Sequence, residues 1–170
     1  MSFLDALIGT KKPQAGTPVL SEQELRARLL ELNRSSAPYQ IIDGSPENVD
    51  LIAEWKIVDA QWYEIFAKAG LEKVFRIYLK FDPATHQVRA MDREYTVNWS
   101  AGVPQISLAA NSFMGQKTSI EFGKAYAFTE TPAPGQVYNY RFDTREIKTP
   151  VQDAVTQSGW TYKGVAFGKL

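Results

Sequence analysis

The chain has 170 residues, 44% of them hydrophobic, which is enough for a sizeable core without metal or disulfide staples. Its 19 Lys and Arg balance 19 Asp and Glu, and it carries one His and no Cys. That balance removes the global field that draws in nucleic acid. The composition also excludes disulfide frameworks, thiolate catalysis and Cys- or His-rich metal centres.

Residues 1–20 are expected to form a short amphipathic leader and a Pro/Gly linker, ahead of a single α+β domain over residues 21–170. In the leader, Phe3, Leu4, Leu7 and Ile8 share one side of a short helix, followed by Lys11 and Lys12. This pattern predicts docking on a partner or a membrane-surface contact by residues 1–12. Its apolar run is too short for a signal peptide or a membrane span, so the expected location is cytoplasmic. Pro13 to Val19 reads as a tether.

A helix is predicted from Ser21, which can cap it while Glu24 reaches back; Leu25, Leu29 and Leu32 form its apolar stripe. Arg26, Arg28 and Arg34 are interspersed with acids and read as a solvated surface. After Pro38, Tyr39–Asp43 and Asp50–Ile57 alternate as strands around the turn-rich Gly44–Asn48. Asp59 is placed to cap a short helix carrying Trp62, Ile65, Phe66 and Ala69, stopped by Gly70.

Val74–Phe81 shows strict alternation, followed by a turn at Asp82–Gln87 and strands at Val88–Met91 and Tyr95–Trp99. If the registers align, Arg76, Tyr78, Lys80, Arg89, Arg93 and Glu94 contribute a basic-aromatic surface suited to an acidic group or a peptide. Cross-strand charge pairing is the competing account of the same residues. Gly102 and Pro104 suggest a turn, Ile106–Ala110 a short strand and Asn111–Gly115 a loop, so Asn111 and Lys117 become candidate ligand contacts.

Strands resume at Thr118–Phe122 and Lys124–Glu130, with Gly123 marking a bulge or bend. Tyr126 and Phe128, together with Tyr138 and Tyr140 from Val137–Phe142, are the candidates for an aromatic groove like the interior of a small ligand-holding barrel. Thr149, Pro150 and Gln152 signal the start of a last helix, which Gly159 ends. Trp160–Phe167 reads as a closing strand.

The expected fold is α+β: a mostly antiparallel, strongly curved sheet or partly closed barrel of about 8–10 strands, with two or three short helices at its ends or on one face. The expected role is non-catalytic binding of a small apolar or aromatic ligand or a peptide. Alternatives are a structural protein docking through its leader and a carboxylate-dependent hydrolase. His86 reads as a turn residue, and the spacing of Glu54, Asp59, Asp92, Glu94, Glu121, Asp143 and Glu146 identifies no acid–base pair. No catalytic residue, metal, cofactor or nucleic-acid partner is assigned. A small ligand, a protein partner or a second copy of the chain is the expected contact.

Overall fold

The computed structural model describes residues 9–35, 37–56, 73–100, 103–107, 114–115, 120–124, 139–143, 145–165 and 170. Within them the chain is α+β. Helix α1, Glu22–Leu30, is followed by strands β1 (Tyr39–Asp43), β2 (Leu51–Trp55), β3 (Lys73–Asp82) and β4 (Gln87–Ser100). Short strands β5 (Val103–Ser107), β6 (Met114–Gly115), β7 (Ile120–Lys124) and β8 (Asn139–Asp143) come next, then helix α2 (Arg145–Gln157) and strand β9 (Thr161–Gly164).

Strands β1 to β4 pair antiparallel in chain order. The far side of β4 is shared along its length by three segments. β9 runs parallel beside Gln87–Ala90, β6 lies beside Asp92 and Arg93, and β5 folds back on Thr96–Ser100. The sheet is therefore mixed but dominated by antiparallel pairs, while β7 and β8 form a separate ladder.

Both helices cover one face of this sheet. Leu25 and Leu29 of α1, and Ile147, Val151 and Val155 of α2, are fully buried against Ile41, Ala53, Ile77, Leu79, Val88 and Tyr162. The i, i+4, i+8 spacing of the α2 residues is the stripe that a helix on a sheet requires.

The α1 boundary is the predicted one. Ser21 Oγ accepts from the Glu24 N–H at 3.2 Å, and the Glu24 carboxylate accepts from the Ser21 N–H at 2.8 Å. Arg26 departs from a purely solvated reading: it pairs with Asp50 at 2.9 Å and lies 5.2 Å from the Phe81 ring centre.

At α2 the start differs. The helix begins at Arg145, so Pro150 lies inside it and Thr149 is not its cap. Pro150 removes the hydrogen bond its N–H would make to residue 146, a cost of about 3 kcal/mol in an isolated helix. The complete burial of Ile147 one turn upstream offsets it. Gly159 ends α2 as expected, at φ +77°, with the Gly159 N–H donating to Thr156 O and the Trp160 N–H to Val155 O.

Three strand boundaries also differ. β4 is one continuous 14-residue strand through Asp92–Glu94. Pro104 lies within β5 opposite Trp99, and Met114–Gly115 is a short strand. The segment after the leader is fixed at two points. Lys11 exchanges both backbone hydrogen bonds with Tyr162 at 2.8 Å, and Leu20 accepts from the Trp160 indole N–H at 2.8 Å. The predicted helix at Asp59–Gly70 lies outside the described residues.

Candidate functional site

Alternation along β2, β3, β4 and β9 sends every second side chain to the face away from the helices. The registers align these side chains in three cross-strand rows: Glu54, Arg76 and Arg93; then Ile52, Tyr78 and Met91; then Lys80, Arg89 and Lys163.

The first row holds the densest polar cluster. Arg76 donates from Nε to Glu54 at 2.8 Å, and its Nη1 lies 3.5 Å from Glu47, which the short 3-10 helix at Ser45–Glu47 delivers from the β1–β2 connection. Gln40 Nε2 holds the other oxygen of Glu54 at 3.0 Å. Beneath both guanidiniums lies the Tyr95 ring, 5.1 Å from Arg76 Cζ and 5.6 Å from Arg93 Cζ. Each such contact contributes about 0.5–2 kcal/mol according to how far it is desolvated. The Tyr95 hydroxyl in turn lies 2.5 Å from that of Tyr78, which reaches Glu47 at 3.3 Å.

The electrostatics follow from these partners. Burial is the largest single influence on Arg76 and works against its charge, but Glu54, Tyr78 and Tyr95 together outweigh it and hold the guanidinium above its ordinary value. Burial, then the hydrogen bond with Tyr95, pushes the Tyr78 phenol well above the usual tyrosine value, so it stays a neutral donor. Arg76 engages both carboxylates of the cluster. Arg93 is stacked on Tyr95, and its buried Nε–H finds no acceptor among the described residues. This arrangement can hold an oxyanion, because a guanidinium already desolvated and oriented by a ring loses little freedom on binding.

Of the candidate residues, the structure brings Arg76 and Tyr78 into this cluster and puts Arg89 in the third row of the same face. Tyr140 belongs to the β7–β8 ladder, where its backbone pairs with Gly123. Tyr126, Phe128, Tyr138, Asn111 and Lys117 lie outside the described residues, as does Asp59; so do the side chains of Glu94, Glu121, Asp143 and Glu146. Tyr95 and Glu47 were not foreseen. Tyr95 follows Arg93 by two residues on one strand, a signal hidden when β4 is read as two pieces.

Two other polar features lie on the helix side. Asp92 stands among the apolar residues of β4 and pairs with Lys148 of α2 at 2.5 Å, their side chains 0% and 8% exposed. Nearby, the Tyr162 hydroxyl is buried with no hydrogen-bond partner among the described residues, and burial, then the Asp92 charge, pushes its phenol well above the ordinary value. Between residues 11–17 and α2 lies a cleft of about 660 Å³ with a polar lining that includes Lys11, Gln152 and Thr156. Among the described residues, no three His, Asp or Glu side chains converge to hold a metal ion, and no helix is long and apolar enough to cross a membrane. His86 lies in the β3–β4 turn at φ 51°, edge-on to Trp160. No family model, curated protein or solved structure matches this chain.

Proposed function

We propose that the chain is a non-catalytic binding protein that accepts an anionic group, a carboxylate or phosphate of a small ligand or an acidic peptide, at Arg93. The observation that carries this reading is the division of labour between the two arginines on Tyr95: Arg76 takes Glu54 and Glu47, and Arg93 keeps a buried, ring-oriented N–H without an acceptor among the described residues. Burial of Ile52, Tyr78 and Met91 on this same face supports a sheet that curves over it into a partly closed barrel, which would enclose the ligand. The hydrolase alternative gains less support. Glu54 and Asp92 point to opposite faces, each engaged by a cation, and do not make an acid–base pair.

Thermal unfolding with inorganic phosphate and with polyglutamate tests this. The wild-type midpoint should rise with at least one of the two, and Arg93→Gln should abolish the rise without lowering the unliganded midpoint by more than a few degrees. Equal responses in wild type and variant, or no response to either probe, would overturn the assignment.

A further inference from the structure

The helix side carries a separate cleft, between the chain leading into α1 and the outer face of α2. Residues 11–20 are pinned at both ends. Lys11 exchanges both backbone hydrogen bonds with Tyr162, and at the other end the Leu20 N–H donates to Ser158 O at 2.9 Å while Leu20 O accepts from the Trp160 indole N–H. Between these anchors the segment closes a turn on itself: the Thr17 N–H and hydroxyl both donate to Gln14 O, at 3.1 and 2.7 Å, with Gly16 at φ +86°. The segment is a braced strap rather than a loose tether. The cleft of about 660 Å³ between it and α2 is therefore preformed. That volume lies within the roughly 300–1,000 Å³ of small-molecule sites.

The lining is chemically selective. On the side of α2 away from Ile147, Val151 and Val155, the cleft meets Thr149, Gln152, Asp153 and Thr156, at the i, i+3, i+4, i+7 spacing of one helix face. This face carries no Lys, Arg or Glu, whereas the exposed side of α1 carries Glu24 and Arg28. Gln14 and Gln157 add two more carboxamides. Lys11 reaches the cleft because its register partner is Tyr162, whose side chain lies in the core beneath the helices.

Carboxamides donate and accept, Asp153 accepts and Lys11 donates. A ring of hydroxyls matches this set, since each hydroxyl is donor and acceptor at once and two adjacent hydroxyls can share the oxygens of Asp153. An apolar ligand has little to bury against here, and a bare anion meets the like charge of Asp153. We infer that this cleft is a saccharide-binding site, taking one or two pyranose rings with their hydroxyls on Gln152 and Asp153. It lies on the helix side, opposite the face that bears Arg93, and the inference does not rest on the Arg93 reading. The described lining holds no aromatic ring to stack on a sugar, so the affinity should be on the order of millimolar.

Side-chain amide signals in NMR spectra of the full chain test this directly. In separate titrations with glucose, galactose, N-acetylglucosamine and maltose, the carboxamide signals of Gln14, Gln152 and Gln157 should move saturably with at least one sugar, and glycerol at matched concentration should leave them in place. The double variant Q152A/D153A, read on Gln14 and Gln157, should bind about tenfold or more weakly. Both side chains point away from the core, so its thermal midpoint should stay within a few degrees of wild type. The isosteric Asp153→Asn should weaken binding as well, and it separates a lost contact from a lost fold. Signals that no sugar moves, equal movement with glycerol, or wild-type binding by both variants would overturn the inference. So would saturable movement of the same signals by inorganic phosphate that Lys11→Gln abolishes, which would make the cleft an anion site instead.

Discussion

Lys148→Met provides a sharp test of the helix-side core. Asp92 is wholly buried and Lys148 nearly so, and they meet at 2.5 Å between β4 and α2. Replacing the lysine by an apolar side chain of similar length keeps the packing and takes the buried Asp92 carboxylate away from its lysine, which costs about 3–5 kcal/mol. With a urea slope of about 2 kcal/mol/M, the unfolding midpoint should drop by roughly 1.5–2.5 M. Converting the pair together, Asp92→Val with Lys148→Met, removes both desolvated charges and should return stability to within about 1 kcal/mol of wild type, or above it. A double-mutant cycle would then show a coupling of several kcal/mol. If K148M alone costs under about 1 kcal/mol, or the double variant shows the sum of the singles, the pair is not a desolvated unit and this account of the core is wrong.

Two more perturbations follow from buried groups and backbone. The phenols of Tyr162 and Tyr78 are both held above their ordinary value. The folded state therefore keeps protons that the unfolded chain releases above about pH 10, and stability should fall by up to about 1.4 kcal/mol per pH unit for each phenol as pH rises past that point. Tyr162→Phe, which removes a buried hydroxyl without a partner among the described residues, should leave neutral-pH stability equal or about 1 kcal/mol higher and flatten the alkaline decline; a loss at neutral pH would mean that the hydroxyl is satisfied. Gly159→Ala should cost more than about 2 kcal/mol in denaturant unfolding. Gly159 combines φ +77° with a Cβ position 2.4 Å from Pro18 O and 2.7 Å from Val19 Cα, backbone atoms that cannot rotate away. Gly16→Ala is the control: it has φ +86° and no atom within 4 Å of the added carbon. It should cost only the left-handed backbone penalty of about 1–2 kcal/mol, and equal losses at the two sites would show that the Pro18 contact is relieved.

What the sequence made legible is what is local. Ser21 and Glu24 are three residues apart and cap α1 as read, and Gly159 ends α2 because a left-handed residue closes the final turn whatever surrounds it. The alternation of β3 held for the same reason, since each face is set by the next residue but one. The local pattern misleads where a distant partner changes what a residue can tolerate. Asp92 breaks the apolar period of β4 and looks like the end of a strand until Lys148, 56 positions later, is seen to neutralise it. Pro150 looks like the first residue of a helix, but the buried Ile147 draws the helix back to Arg145.

The same distinction governs the candidate surfaces. Arg76 and Tyr78 are legible because they alternate on one strand, whereas Glu47 joins them only through the connection that folds over β3. The third cross-strand row, Lys80, Arg89 and Lys163, is less legible still. The Lys80–Arg89 pair follows from the β3–β4 hairpin turn, but Lys163 enters through a parallel pairing that no turn specifies, after α2 carries the chain back across the sheet. A chain with no net charge can therefore bring cations from separate strands into one row through topology alone. The balance of 19 acids against 19 bases argues against a global field and says nothing of a local one.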